Sequence, residues 1–121
     1  MDERRILLLG VDHLQPLDLV GPHEVFAGAR SWLHAHEEPS TYRVEVIGQR
    51  AGPVVAESGL VLHASRSWRE VGDDEPVDTL IVAGGDGIDA ALDDAELIEW
   101  SDALASRSRR VASVCSGALL L

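Results

Sequence analysis

Cysteine and basic residues are scarce in this sequence, and each shortage excludes a class of protein. The one cysteine, Cys115, can neither form an internal disulfide nor supply a cysteine-rich zinc site. Lysine and arginine together number 10 against 21 aspartate and glutamate residues, which gives a net charge of −11. Phosphate binding needs clustered basic side chains, so this segment is not expected to bind DNA or RNA.

Long apolar runs are also missing near the start of the chain. The longest one there, residues 6–9, is flanked by Arg4, Arg5 and Asp12. It is too short for the core of a signal peptide or for a membrane span. A cytoplasmic location without membrane contact is therefore expected. The length of 121 residues suits one compact domain, and a hydrophobic content of 45% is enough for a core.

Apolar runs and helical patterns alternate along the chain. The patterns predict strands at residues 5–11, 42–47, 79–82 and 111–114, a hairpin at 54–63, a short surface helix or loop at 66–76, and helices at 17–34 and after Asp93 or Asp94. The apolar face of the first helix is predicted to comprise Leu17, Val20, Val25, Ala29, Trp32 and Leu33, and that of the later helix Leu97, Trp100 and Leu104. This order predicts an α/β fold, a flavodoxin-like three-layer sandwich with a mostly parallel sheet.

Three features fall at predicted carboxyl ends of strands, where α/β sheets bind ligands. They are the loop after the first strand, the Gly-Gly-Asp-Gly segment at 84–87, and Cys115. The order strand, cysteine, Ser116, Gly117, helix follows the logic of a nucleophile elbow, and a helix N-terminus there would favour the thiolate. Two plainer interpretations stay open: a lone cysteine can be a small buried hydrophobe, and a glycine pair can be only a tight turn.

Three motifs in this order and spacing resemble the ThiJ/PfpI superfamily, which is class I glutamine amidotransferase-like. They read LDLVGPHEVF at 17–26, VDTLIVAGGDG at 77–87 and RRVASVCSGALLL at 109–121. More narrowly, they are similar to the sensory domain at the front of many AraC-family transcriptional regulators. Isonitrile hydratases share nearly the same three motifs. The resemblance extends from Arg5 to Leu121.

The resemblance implies a reactive site centred on Cys115, with Asp18 as the acidic residue that faces the sulfur. A protonated Asp18 would donate a hydrogen bond to the thiolate, whereas an ionised Asp18 would raise the pKa of the thiol. A solvated carboxylate at a helix start is the alternative for Asp18. The N–H groups of Gly85 and Ser116, with Gly84 in the same loop, would form an oxyanion hole in members that do acyl-type chemistry.

The other residues of the three motifs, and the histidines, give weaker indications of function. Glu24 is a secondary candidate, which helix packing or a dimer contact would explain as well as chemistry does. Protease-like members have a histidine where this chain has Ser116, so peptidase activity is not expected. His13 is the histidine expected nearest to the site. No histidine has metal-ligand spacing and the glycines match no dinucleotide fingerprint, so neither a metal nor a cofactor is expected.

The resemblance favours a ligand-sensing, non-catalytic domain of an AraC-family regulator, with the DNA-binding helix-turn-helix pair downstream. Its partners would be an unknown small molecule and a second copy in a homodimer. The alternative is an isonitrile hydratase-like enzyme, a cysteine-dependent hydratase or lyase, in which Cys115 attacks carbon and Asp18 positions water or moves a proton. A third possibility is a redox role through oxidation of Cys115. Residues 1–121 are expected to be an incomplete domain that continues beyond Leu121.

Overall fold

The computed structural model describes residues 2–121, which contain both strands and helices. The strands are β1 (Asp2–Gly10), β2 (Ser40–Gly48), β3 (Gly52–Val55), β4 (Val61–Ala64), β5 (Arg66–Ser67), β6 (Thr79–Val82) and β7 (Arg110–Ser113). The α-helices are α1 (Pro16–Ala35), α2 (Ile88–Ala91) and α3 (Ala95–Arg107), and 3₁₀-helices occupy Trp68–Glu70 and Cys115–Leu120.

The central sheet has five strands in the order β5-β2-β1-β6-β7, and every neighbouring pair is parallel. β1 is its middle strand, and Ile6, Leu7, Leu8 and Leu9 are at most 1% exposed. Leu7 and Leu9 pack in the apolar cluster that includes residues of α2 and α3. Ile6 and Leu8 pack in a second cluster with residues of α1 and of the β3–β4 hairpin. The predicted flavodoxin-like α/β sandwich is confirmed.

The first helix was predicted at nearly the right place, but its predicted buried face is wrong for Leu17, Val20, Val25 and Trp32, which are exposed, while Ala29 and Leu33 are half-buried. α1 begins at Pro16, where the side chain of Gln15 caps it, and the helix ends at Ala35. Leu17 is 74% exposed and Val25 69%. The helix instead packs through Leu19 and Phe26. The apolar residues of α1 are distributed around the helix instead of forming one stripe, so helical spacing alone could not select the face that meets the sheet.

The β3–β4 hairpin confirms the prediction at residues 54–63, and its two strands pair antiparallel. The following segment differs from its prediction as a short helix or loop. It contains β5, which pairs with the end of β2, and then the 3₁₀-helix Trp68–Glu70. A strand of two residues is too short to show the alternation by which strands are predicted.

The last part of the sheet places the cysteine at the carboxyl end of its edge strand. The Asp94 side chain accepts from the N–H of Leu97 and caps α3. Leu97 and Leu104 of the predicted face are buried, and Trp100 packs half-buried beside them. β7 follows α3, pairs with β6, and has four exposed residues. Nowhere in residues 2–121 is a helix both long enough and apolar enough to cross a membrane.

Candidate functional site

Cys115 lies two residues beyond the end of β7, on the predicted sharp turn. Its φ of 50° is unusual for a residue with a side chain, and its side chain is exposed. The turn is held close to β6, because the N–H of Val114 donates to the carbonyl of Val82 at 2.9 Å. Gly117 has no room for a side chain, since a Cβ there would overlap the same Val82 carbonyl. The predicted helix is a 3₁₀-helix of six residues that begins at Cys115 itself.

Asp18 faces this cysteine from the first turn of α1, as the resemblance implied. Its side chain is buried, with 6% exposed. The Cys115 thiol donates to its Oδ1 at 3.6 Å, and the N–H of Gly84 donates to its Oδ2 at 3.2 Å. Three separate segments of chain therefore meet at one carboxylate. A solvated carboxylate at a helix start, the alternative for Asp18, is not what the structure contains.

The carboxylate makes the thiol a weaker acid. The hydrogen bond to Asp18, then the charge of Asp18, raise the pKa of Cys115, and burial and the charge of Glu57 act in the same direction. A negative charge next to a thiol disfavours the thiolate. The direction is opposite to that expected from a helix N-terminus behind the sulfur. The neutral thiol is therefore the favoured form at neutral pH.

The two glycine amides at the end of β6 already have partners. Gly84 donates to Asp18, and the N–H of Gly85 donates to Oγ of Ser116 at 3.1 Å. Gly85 needs to be glycine, since its φ is 127° and a Cβ would overlap the backbone at Gln15. A developing oxyanion would have to displace the Ser116 hydroxyl to reach the Gly85 amide. The oxyanion role inferred for Gly85, Ser116 and Gly84 stays a prediction.

Two other candidates do not join this cluster. Glu24 is exposed on α1, and its carboxylate bonds to Nδ1 of His23 at 2.9 Å. His13 lies in the loop after β1, where its backbone bonds to the carbonyl of Val55 and the N–H of Gly87. Within residues 2–121, no histidine is hydrogen-bonded to Cys115. In the same range, no group of histidine, cysteine and acidic residues is arranged to hold a metal ion.

Glu57 is the residue at this edge that the sequence interpretation missed. It lies in the turn of the β3–β4 hairpin, outside all three motifs. Its carboxylate accepts from Nε2 of Gln15 at 2.7 Å and from the N–H of Asp86 at 3.1 Å. No local pattern marks it, because both partners are far away in the sequence.

The family model of the DJ-1/PfpI family matches residues 4–121. The chain belongs to the DJ-1/PfpI family. A ThiJ/PfpI family protein from Pseudomonas syringae has a crystal structure of the same fold, with 27% sequence identity and a TM-score of 0.81. The superposition covers 100% of this chain and 46% of that one, so the chain spans about half the length of this DJ-1/PfpI relative.

Three proteins with similar sequences differ in how their functions are described. An uncharacterized protein in the cpoL 5′ region of Streptomyces lividans is 33% identical over 117 residues, which is 97% of this chain and 77% of that protein. The HTH-type transcriptional regulator Rv1931c of Mycobacterium tuberculosis is 50% identical over 46 residues, 38% of this chain and 18% of the regulator. The isonitrile hydratase of Pseudomonas putida is 29% identical over 109 residues, 89% of this chain and 42% of the enzyme.

Proposed function

We propose that this DJ-1/PfpI domain is the ligand-sensing, non-catalytic part of an AraC-family transcriptional regulator. The observation that carries the proposal is the 50% identity with the mycobacterial HTH-type regulator. The acidic composition of the domain accords with this role, because DNA would be bound by a different part of the regulator. A regulator acts where the DNA is, so a cytoplasmic location belongs to the proposal.

The chemistry of the Cys115 site supports sensing better than turnover. Nucleophilic catalysis by cysteine uses the thiolate, and Asp18 disfavours that form here. A general base would normally take the thiol proton, and within residues 2–121 no histidine is hydrogen-bonded to Cys115. The Gly85 amide, which would stabilise an oxyanion, is engaged by Ser116. An exposed thiol beside a buried carboxylate can still bind a small molecule at the sheet edge.

A homodimer is the assembly that we expect for this regulator, in keeping with the usual state of the superfamily. Sedimentation velocity of the full-length protein would test it. A single species with the mass of one chain, across a hundredfold range of concentration, would contradict the expectation.

An isonitrile hydratase-like activity is the second candidate, favoured by the 29% identity over 109 residues with the enzyme. In that reaction Cys115 would lose its proton and add to the isonitrile carbon, which takes up a proton to give a thioimidate. Water would then add to the same carbon, and cleavage of the C–S bond would release an N-substituted formamide and restore the thiol. Asp18, whose Oδ1 is 3.6 Å from Sγ, would position the water or carry the proton in this reaction.

One experiment on the full-length protein separates these functions. A labelled DNA fragment from upstream of its own gene is tested for a mobility shift, and the same preparation is assayed with an aryl isonitrile for formation of the formamide. We expect a DNA shift and no formamide. Formamide production that Cys115→Ala abolishes, without any DNA shift, would establish the hydratase instead. Oxidation of Cys115 by mild peroxide, followed by mass spectrometry, tests the redox alternative.

A further inference from the structure

The β3–β4 hairpin reaches across the sheet edge to the Cys115 site through one carboxylate. Glu57 lies in its turn, and the N–H of Glu57 donates to the carbonyl of Leu14 at 2.9 Å. Its two carboxylate oxygens accept from different loops, Oε1 from the Gln15 side chain and Oε2 from the Asp86 N–H. These bonds connect the hairpin to the loop after β1 and to the loop after β6.

The bond between Glu57 and Gln15 influences the position of Asp18 through the start of α1. The amide nitrogen of Gln15 bonds to Glu57, and its amide oxygen accepts from the N–H of Leu17 at 3.1 Å. Glu57 thus holds the Gln15 side chain in the orientation that caps the helix. Asp18 is the next residue along that first turn, so the cap fixes the backbone from which its carboxylate extends toward the sulfur.

The bond between Glu57 and the N–H of Asp86 likewise influences the position of the Gly84 and Gly85 amides. Asp86 directly follows Gly85, whose N–H bonds to the Ser116 hydroxyl. The carbonyl of Gly84 accepts from the N–H of Gln15 at 2.8 Å. One carboxylate therefore connects the start of α1, which carries Asp18, to the loop that carries the glycine pair.

We propose that Glu57 is a positioning residue of the Cys115 site, which holds Asp18 and the Gly84–Gly85 segment in register with the thiol through Gln15 and Asp86. The residue itself need not touch a ligand. The inference rests on the proposed function only in taking Cys115 as the centre of the site. The test measures the reactivity of the thiol without any ligand or DNA. The positioning proposal can therefore fail while the regulator proposal stands, and the regulator proposal can fail while the positioning proposal stands.

The test measures how the alkylation rate of Cys115 by iodoacetamide depends on pH in three variants. Glu57→Gln removes the charge and leaves one of the two N–H donors without an acceptor. Gln15→Ala removes the bond between Gln15 and Glu57 together with the Gln15 cap on α1, and it keeps the Glu57 charge and its bond to Asp86. Glu38→Gln makes the same charge change beyond the opposite end of α1 and serves as the control. We expect alkylation near pH 7 to be on the order of twofold faster in the first two variants, because a loosened Asp18 disfavours the thiolate less.

Hydrogen exchange gives a second measurement that does not depend on the thiol. The amides of Gly85 and Asp86 should exchange faster in Glu57→Gln than in Glu38→Gln, with circular dichroism confirming that both variants are folded. The proposal is overturned if Glu57→Gln and Glu38→Gln behave alike in both measurements. It is also overturned if Glu57→Gln changes the alkylation profile while Gln15→Ala does not, because the connection through Gln15 to α1 would then have no effect on the thiol.

Discussion

The thiol of Cys115 donates to Oδ1 of Asp18 at 3.6 Å, although 97 positions of sequence separate the two residues. The contact exists because α1 begins, and β7 ends, at the same edge of the parallel sheet. The N–H of Gly84, which follows β6, holds the other oxygen of the same carboxylate. A residue in the first turn of α1 therefore contributes most to raising the pKa of the thiol.

Replacing Asp18 by asparagine should make Cys115 more reactive. The hydrogen bond and the charge of Asp18 raise the pKa of Cys115, so Asp18→Asn should lower it. Asparagine keeps an oxygen that can accept from Gly84, which preserves the geometry of the site. We expect iodoacetamide to alkylate the variant about fivefold faster near pH 7. The measurement is the pH profile of alkylation, read by mass spectrometry.

The control for this prediction is Glu24→Gln, which removes a charge from an exposed position of the same helix. It should leave the alkylation profile unchanged, because Glu24 bonds to His23 and not to the thiol. Slower alkylation of Asp18→Asn than of the wild type would contradict the prediction. That result would indicate a protonated Asp18 that donates to the thiolate.

Removing the hydroxyl of Ser116 should release the amide of Gly85. Ser116→Ala leaves this N–H without its partner at 3.1 Å. A net hydrogen bond is worth about 0.5–1.5 kcal/mol, so we expect exchange of the Gly85 amide to be about two- to twelvefold faster. Ser113→Ala, an equal change at an exposed position of β7, serves as the control. Equal Gly85 exchange in the two variants would show that the hydroxyl does not restrain this amide.

The sheet and the cysteine turn were predictable because their signals are local. Residues 6–9 form a continuous apolar run, and the structure buries all of them between two layers. Cys115 follows an apolar strand directly and precedes small residues, which is the local pattern of a sharp turn. Both predictions depend on residues that are adjacent in the sequence.

The buried face of α1 and the role of Glu57 depend on distant residues and could not be predicted in this way. Leu17 and Leu19 are equally apolar, and only the position of the sheet decides that Leu19 is buried. Glu57 acquires its role from Gln15 and Asp86, which lie 42 and 29 positions away. An acidic residue in a hairpin turn carries no mark of such partners.

Acid should weaken the fold through the cluster formed by Arg66 and two glutamates. Arg66 forms paired hydrogen bonds to both Glu45 and Glu75. The hydrogen bond from Arg66 lowers the pKa of Glu75. At Glu45 burial raises the pKa, but the hydrogen bonds and charge of Arg66 outweigh burial with the help of Ser65 and Arg5, so the pKa of Glu45 is lowered as well. A carboxyl group whose pKa is lower in the folded than in the unfolded state stabilises the fold at pH values above its unfolded pKa. This stabilisation is lost as the pH falls through the pKa of the folded state. The free energy of unfolding in urea should therefore decrease between about pH 5 and about pH 3.

A variant of Arg66 checks the cause of this acid sensitivity. Arg66→Met should cost about 2 kcal/mol at neutral pH and flatten the decrease, because both carboxylates lose their main partner. Arg50→Met serves as the control, since Arg50 is 67% exposed in its ion pair with Asp12. An exposed pair is worth about 0–1 kcal/mol. Equal stability losses in the two variants, at every pH, would contradict the assignment to the Arg66 cluster.

Adding a methyl group at two glycines should change stability in opposite directions. A Cβ at Gly117 would overlap the carbonyl oxygen of Val82, so Gly117→Ala must push the cysteine turn away from β6. We expect it to lower the free energy of unfolding by more than about 2 kcal/mol. Gly28 lies inside α1 with open space around it, and Gly28→Ala should raise that free energy by about 0.5–1 kcal/mol through better helix propensity. Urea unfolding of both variants measures the difference. Two changes of the same sign and size would mean that the turn does not pack against β6 as closely as the structure has it.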